Sequence, residues 1–187
     1  ANLGGWEVGD EAPPKKDRPS IDRWLLSRIQ TVAQGVDDAL EALQLTEASR
    51  VLENFIDREL SNWYVRRNRA RFWKSGDDSD KRAAFATLTE SLEIVSRLLA
   101  PMAPFLSDCL WRSVTGAEEG ESVHLSDWPI ADPAGRDEEL EEDMAVVLAA
   151  APAPPPRSPR SQRAATRERR RCCDSGSRAR CDRFPAD

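Results

Sequence analysis

The chain has 187 residues, 40% of them hydrophobic, and a formal net charge of −6, so it can form one domain with a hydrophobic core. It contains no apolar run near the roughly 20 residues of a membrane-spanning helix, and its start lacks the features of a signal peptide, so we expect a cytoplasmic protein. Because the chain starts at Ala1 rather than at methionine, we expect it to be cut from a longer protein.

Helical periodicity dominates the chain up to residue 148, and strand signals are scarce. The first helix is predicted to start with Ser20 as its N-cap, directly after Pro19. Its apolar side chains recur at helical spacing, which is typical of a helix that faces a core. This stripe consists of Ile21, Leu25, Ile29, Val32, Val36, Leu40 and Leu43.

A second helix is predicted from Thr46 to Lys74, with Glu47 in its first turn and Gly76 as its stop signal. Its apolar side is formed by Ala48, Val51, Leu52, Phe55, Ile56 and Trp63. The third helix runs from about Asp80 to Leu99 and ends before Pro101. The acidic run at 77–80 lacks the glycine and closing glutamate of a calcium loop, so we interpret it as the N-cap of this helix.

A fourth helix is predicted between Pro104, which is suited to a first helical position, and Gly116, which is suited to a helix end. Its apolar face consists of Phe105, Leu106, Cys109, Leu110 and Val114, so Cys109 is expected to be a small core residue. Four helices with short connections predict an all-α bundle. After it we expect a short extended segment at 122–126, an anchor at Trp128 and an acidic helix at 137–148.

Residues 149–187 differ in composition from the rest of the chain. They contain no Leu, Ile, Val, Met, Trp or Tyr, and they hold 10 basic against 4 acidic residues, whereas residues 1–148 hold 17 against 29. Such a segment is typical of disorder. It could be a basic arm that binds nucleic acid or a metal site at Cys172, Cys173 and Cys181, although their spacing argues against zinc. We favour a third interpretation, an out-of-frame reading of GC-rich DNA.

A basic and aromatic stretch lies on the second predicted helix, between Ser61 and Ser75. At helical spacing its cations form one contiguous strip. Guanidinium groups bind phosphate oxygens and aromatic rings stack on unpaired bases, so the strip has the composition of an RNA-binding surface. The predicted RNA contacts are Asn62, Tyr64, Arg66, Arg67, Arg69, Arg71, Trp73 and Lys74.

The same stretch has a purely structural interpretation. Trp63 and Tyr64 can belong to the core, and an arginine-rich face can be solvated beside acidic neighbours. Composition and spacing leave both interpretations open. No pattern indicates an enzyme, because the sequence has no phosphate-binding glycine loop, nucleophile elbow or paired metal motif. The single histidine, His124, is more typical of a packed or exposed residue than of a catalyst.

Five motifs occur in order along residues 1–148. They are Ala1-Asn-Leu-Gly-Gly-Trp6, Asp22-Arg-Trp-Leu-Leu-Ser-Arg28, Leu60-Ser-Asn-Trp-Tyr-Val-Arg-Arg-Asn-Arg-Ala-Arg-Phe-Trp-Lys-Ser75, Leu99-Ala-Pro-Met-Ala-Pro-Phe-Leu106 and Glu121-Ser-Val-His-Leu-Ser-Asp-Trp-Pro129. Together they resemble the anticodon-binding region of isoleucyl-tRNA synthetase, a class I aminoacyl-tRNA synthetase.

The resemblance implies a helical bundle that packs behind a Rossmann catalytic domain and holds the anticodon stem and loop. It divides the chain into a linker from the catalytic region at 1–19, the anticodon-binding bundle at 20–132, the start of an acidic helix at 133–148 and the tail at 149–187. An alternative within the same family is a structural bundle whose arginine face docks on the enzyme's own catalytic domain without contacting RNA.

The family's two ATP signatures, His-Ile-Gly-His and Lys-Met-Ser-Lys-Ser, do not occur in this sequence. The resemblance therefore implies that this chain alone neither activates an amino acid nor holds a cofactor or metal, whereas the whole enzyme uses ATP and magnesium. The implied partners are isoleucine tRNA and the catalytic domain of the same chain, without a membrane. The family sequence continues as helix after the acidic helix, so the tail's departure from it supports the out-of-frame interpretation.

Overall fold

The structure, a computed structural model, describes residues 12–73, 78–118 and 120–150. The chain divides into two compact units, Leu3–Ala149 and a second one made of Ala1–Asn2 and Ala150–Asp187. Of the second unit only Ala150 is described, so everything below concerns the first unit. The prediction of a disordered tail and most of the predicted linker lie outside the described residues.

The described ranges contain helices and no strand, which confirms the all-α fold. Three short 3-10 helices lie at Lys15–Asp17, Val123–Leu125 and Pro133–Gly135. Within these ranges no helix is both long and apolar enough to cross a membrane. The α-helices are α1 (Ser20–Glu41), α2 (Leu45–Asn54), α3 (Arg69–Trp73), α4 (Ser79–Leu99), α5 (Pro104–Thr115) and α6 (Glu138–Ala150), and a π-helix spans Phe55–Val65.

The core is built around α1, which packs against both α2 and α4, while α5 packs on the far side of α4. Most of the predicted stripe of α1 is buried, as are residues of α2 and the π-helix that face it. The largest fully buried side chains are Trp24, Leu25, Ile29, Leu52, Phe55, Tyr64 and Leu98. The spacing of the apolar residues in α1 therefore correctly predicts which side of this helix faces the core.

The second predicted helix is not continuous. A π-helix replaces the α-helix over Phe55–Val65, and Asn68 interrupts the helix before α3 begins. Asn62 Nδ2 donates to Asp57 Oδ1 at 3.2 Å, a side-chain pair five residues apart that fits the wider π turn. Each π turn holds more residues than an α turn. The side chains after residue 55 therefore point in other directions than a continuous α-helix would give them. Trp63 and Tyr64 both become buried.

The predicted helix ends are correct at three places. Asp78 caps α4 by accepting a hydrogen bond from Lys81 N at 2.8 Å. Pro104 is the first residue of α5, and Gly116 ends that helix in the left-handed conformation at φ 68°. The N-cap prediction for Ser20 is wrong. Pro19 is the N-cap, because its extended backbone directs its carbonyl toward the first free N–H groups of α1.

Leu43 does not continue the stripe of α1, contrary to the prediction. Its N–H donates to Leu40 O at 2.9 Å, and Gln44 N donates to Ala39 O at 2.8 Å, which is the pair of bonds that closes a Schellman motif. This motif needs a left-handed residue, and Leu43 takes that conformation at φ 57°. Its side chain is 87% exposed.

Replacing Leu43 with glycine should therefore raise the free energy of unfolding by about 0.5–1 kcal/mol. A Cβ in the left-handed conformation costs roughly 1–2 kcal/mol, part of which is offset by the greater freedom of glycine in the unfolded chain. The midpoint of urea unfolding measures this gain. Leu43→Ala is the matched control, because it removes the exposed side chain but keeps the Cβ. An equal gain in that control would contradict the strain explanation.

The apolar face of α5 is largely open. Phe105 is 92% exposed, Leu106 is exposed, and Cys109 is exposed too, so the prediction that Cys109 is a core residue is wrong. The reason is topological, since α5 packs mainly on α4 and on the 3-10 helix at Val123–Leu125. Its other side has no neighbour among the described residues.

The segment after α5 returns to α1 as a C-terminal arm (residues 126–141). Trp128 Nε1 donates to Asp37 Oδ1 at 3.0 Å, which confirms the predicted anchor. Asp132 N donates to Gln30 Oε1 at 2.9 Å, and Asp137 N donates to Ser27 Oγ at 2.8 Å.

The acidic helix is confirmed as α6. The extended segment predicted at 122–126 is a 3-10 turn at its centre, because the Ser122 side chain caps it.

Candidate nucleic-acid interface

The basic segment (residues 62–73) includes the end of the π-helix, the break at Asn68 and α3. The helical turns on either side of this break present three arginines to solvent, Arg66, Arg67 and Arg69. Trp73 follows on α3 and is 62% exposed. The structure thus brings four of the eight predicted RNA contacts onto an accessible surface. Lys74 lies outside the described residues.

The three exposed arginines have no carboxylate partner among the described residues. None of them forms an ion pair within the described residues, whereas Arg28, Arg50 and Arg112 each pair with a carboxylate. Arg67 and Arg69 instead contact tryptophan rings, with Arg67 Cζ 4.1 Å from the centroid of Trp63 and Arg69 Cζ 5.7 Å from that of Trp73. These contacts hold the guanidinium groups without cancelling their charge.

Arg71 turns inward, away from the exposed arginines. It binds Asp22 with two parallel hydrogen bonds, Nη1 to Oδ1 at 2.9 Å and Nη2 to Oδ2 at 2.8 Å. Its Nη2 also donates to the backbone carbonyl of Asp80 at 2.9 Å and forms an ion pair with the Asp80 carboxylate at 2.8 Å. Arg71 is therefore occupied by two carboxylates, which argues against its predicted role as a phosphate contact.

Tyr64 is fully buried, so its ring has no free face for a base, and the prediction of stacking by Tyr64 has to be corrected. Its hydroxyl donates to Asp22 Oδ1 at 2.7 Å. Its ring contacts Phe72 edge-on, with centroids 6.4 Å apart. The physical reason is the π-helix, which rotates Tyr64 toward α1. Burial, together with the negative charge of Asp22, raises the pKa of the Tyr64 hydroxyl well above its usual value.

Asn68 closes the network at the helix break. Its Nδ2 donates to Tyr64 O at 2.9 Å, and its Oδ1 accepts from Arg71 Nη1 at 2.9 Å. Burial alone would lower the pKa of Arg71, but its hydrogen bonds to Asp22 and Asp80 and the charges of both raise it. The inner network thus consists of Asp22, Tyr64, Asn68, Arg71 and Asp80, and it fixes the path of the backbone that carries the exposed arginines.

Asn62 is half-buried and already donates to Asp57, so it lies beside the exposed arginines with its amide engaged. His124 is exposed, and its Nε2 lies 3.2 Å from Pro104 O. In the part of the chain that the structure describes, no cluster of His, Cys, Asp or Glu could hold a metal ion. The tail cysteines lie outside that part.

Three residues of the inner network were not predicted as site residues, Asp22, Asn68 and Asp80, the last of which was assigned only to the capping run at 77–80. Asp22 carries a usable signal, because it is three residues before Leu25 and seven before Ile29, on the buried face of α1. A carboxylate in register with core residues requires a buried partner. Asn68 carries no comparable signal, since it lies between arginines on what the periodicity presents as a continuous helix.

A family model described as the anticodon-binding domain of tRNA ligase matches residues 22–152 of this chain. This range contains every described residue of the basic segment and the inner network. The resemblance identified from the sequence motifs is confirmed.

Curated relatives extend the comparison. The chain is 50% identical over 151 residues to an isoleucine–tRNA ligase of Thermus thermophilus, a match that covers 79% of this chain and 14% of the relative. It is 47% identical over 145 residues to that of Thermobifida fusca, with 76% and 14% covered, and 47% identical over 137 residues to that of Deinococcus radiodurans, with 73% and 12% covered. The chain thus spans less than one sixth of the length of these relatives. It belongs to the family of anticodon-binding domains of tRNA ligases.

Proposed function

We propose that this chain is the tRNA-binding module of an isoleucine–tRNA ligase, in which Arg66, Arg67 and Arg69 contact phosphates of the anticodon stem and loop. The observation that carries the proposal is the set of three exposed arginines without ion pairs among the described residues, in a chain whose net charge is negative. Such a localised positive surface attracts a polyanion to one place on the molecule.

The reaction of the whole protein is part of the same proposal. A complete ligase would join isoleucine to its tRNA with ATP and magnesium in the cytoplasm, through a catalytic region outside this chain. The chain itself holds neither ATP signature, so we assign it binding and no chemistry. We also propose that the anticodon-binding bundle comprises residues 20–132, that the helix after it belongs to the next element, and that the catalytic region of the same protein is its second partner.

Titration of the full 187-residue chain with an isoleucine tRNA transcript at several salt concentrations tests the proposal. Three phosphate contacts predict that the logarithm of the association constant falls with the logarithm of salt with a slope of about −2 to −3. Affinity that does not respond to salt would overturn it. If the arginine face docks on the catalytic region instead of on RNA, charge reversal at Arg66 and Arg69 should loosen that contact and leave tRNA binding by the whole enzyme unchanged.

A further inference from the structure

Two turns at one end of the bundle expose large apolar side chains. Leu43 and Leu45 lie at the turn between α1 and α2, and both are exposed. Phe105 and Leu106 follow the turn between α4 and α5 and are exposed too, Phe105 almost completely. A single exposed leucine is ordinary, whereas several large apolar side chains on one surface mark a place where another molecule binds.

One contact joins these two turns. Ser49 Oγ lies 3.3 Å from Met102 Sδ, so the first turns of α2 touch the segment that precedes α5. We call this surface the apolar end (Leu43, Leu45, Met102, Phe105 and Leu106). The basic segment lies at the other end of α1, because Arg71 binds Asp22 near the start of that helix. The two ends are about 30 Å apart along α1, given a rise of roughly 1.5 Å per residue.

The backbone of Leu43 is a second observation that points to a partner. Leu43 holds the left-handed conformation, in which glycine would be unstrained. Strained residues cluster at functional sites. Here the strained residue carries a large apolar side chain that lies mostly in water. Burial of this side chain against a partner would offset the strain, since apolar surface gains free energy when it leaves water.

The charges around the apolar end are unsuited to RNA. Neither residues 40–49 nor residues 99–108 contain a lysine or an arginine. Glu41 and Glu47 are exposed on either side of the turn between α1 and α2, so they would repel phosphates. A protein surface that is apolar at its centre and basic at its rim complements this arrangement.

We propose that the apolar end is the surface on which the catalytic region of the same protein docks. The inference rests on the proposed function, which names that region as the second partner. A partner on the basic segment would cover the arginines that bind RNA, whereas a partner on the apolar end leaves them free. This chain spans less than one sixth of the length of the relatives compared above, which leaves ample chain for such a region.

The segment that follows the bundle is a poor candidate for the same surface. Residues 151–187 contain no Leu, Ile, Val, Met, Trp or Tyr, so they offer little apolar area to cover the apolar end.

The thiol of Cys109 is a natural probe of docking. Cys109 is exposed and lies one turn after Phe105 on the same side of α5. We expect a maleimide to label Cys109 about tenfold more slowly in the intact ligase than in the isolated chain, because a docked surface must open before the reagent reaches the thiol. Mass spectrometry of the labelled peptides separates Cys109 from the cysteines of the tail.

Two variants make the measurement specific. Ala70→Cys is the matched control, because Ala70 is exposed on the basic segment. Without RNA, the thiol of Ala70→Cys should react equally fast in the chain and in the ligase. Phe105→Asp should restore rapid labelling of Cys109 in the ligase, since it places a charge at the docked surface. It should leave tRNA binding by the isolated chain unchanged.

Labelling of Cys109 at one rate in both proteins would overturn the inference. Protection of Ala70→Cys in the ligase, with Cys109 left reactive, would overturn it in favour of docking through the arginine face. Light scattering tests a second copy as the occupant, because a ligase dimer that Phe105→Asp dissociates would assign the apolar end to self-association. Titration of the isolated chain with tRNA is independent of these results, and a chain that binds no tRNA would overturn the proposed function instead.

Discussion

Replacing Asp22 with alanine should lower the free energy of unfolding by about 3–5 kcal/mol, the usual cost of breaking a buried ion pair on one side. Asp22 is fully buried and accepts two hydrogen bonds from Arg71 and one from Tyr64. Its removal takes away the bidentate partner of Arg71 and the closest acceptor of the buried Tyr64 hydroxyl, and leaves Arg71 with only Asn68 and Asp80. Urea unfolding followed by circular dichroism measures the loss.

Two further variants make this prediction specific. Asp38→Ala removes an exposed carboxylate from the same helix, one that accepts a bond from Gln34 at 2.8 Å, and it should change stability by less than about 0.5 kcal/mol. The double variant Asp22→Ala with Arg71→Met removes both charges, so it should be more stable than the sum of the single losses predicts. Additive losses would contradict the coupling of Asp22 to Arg71.

Replacing Arg66, Arg67 and Arg69 together with glutamine should weaken binding to isoleucine tRNA on the order of one hundredfold at about 0.1 M salt. Each phosphate contact that releases its counterions contributes roughly a five- to eightfold gain in affinity under those conditions. The loss should shrink as salt increases, and the salt dependence itself should flatten by about 2 to 3 units of slope. Filter binding or fluorescence anisotropy measures both quantities.

The control for this variant changes the same charge elsewhere. Arg50, Arg112 and Arg136 each face a carboxylate, at 3.8, 2.9 and 3.5 Å respectively. Their joint replacement with glutamine should alter tRNA binding much less than replacement of the exposed arginines. If both triple variants weaken binding equally, the attraction comes from overall charge, and the basic segment is not its location.

Most of the fold could be predicted because its determinants are local. The stripe of α1, the cap at Asp78 and the turn at Gly116 each depend on residues within a few positions of one another. The π-helix at Phe55–Val65 could not be predicted, because the apolar residues of this segment also fit the α period in the sequence. The prediction for Leu43 was wrong because the left-handed residue of a Schellman motif is usually glycine and here it is leucine.

The candidate site could be located from the sequence, but its division into outer and inner residues could not. Arg66, Arg67, Arg69 and Arg71 are the same residue type within six positions. Arg71 differs from the other three because it binds the carboxylate of Asp22 on α1, 49 residues earlier in the chain. Long-range pairing of this kind follows from helix packing and leaves no trace in local spacing. Tyr64 was misjudged for the same reason, because its partner is also Asp22.

The C-terminal arm has a consequence for the order in which this protein folds. Its hydrogen bonds to α1 join residues separated by 91 to 114 positions, from Asp37 with Trp128 to Ser27 with Glu141. During synthesis α1 is made before the other α-helices of the bundle. Its polar groups that bind the arm have no such partners until almost the whole bundle has been made. Contacts so distant in sequence form slowly and late. We therefore expect docking of the arm to be a late step of folding.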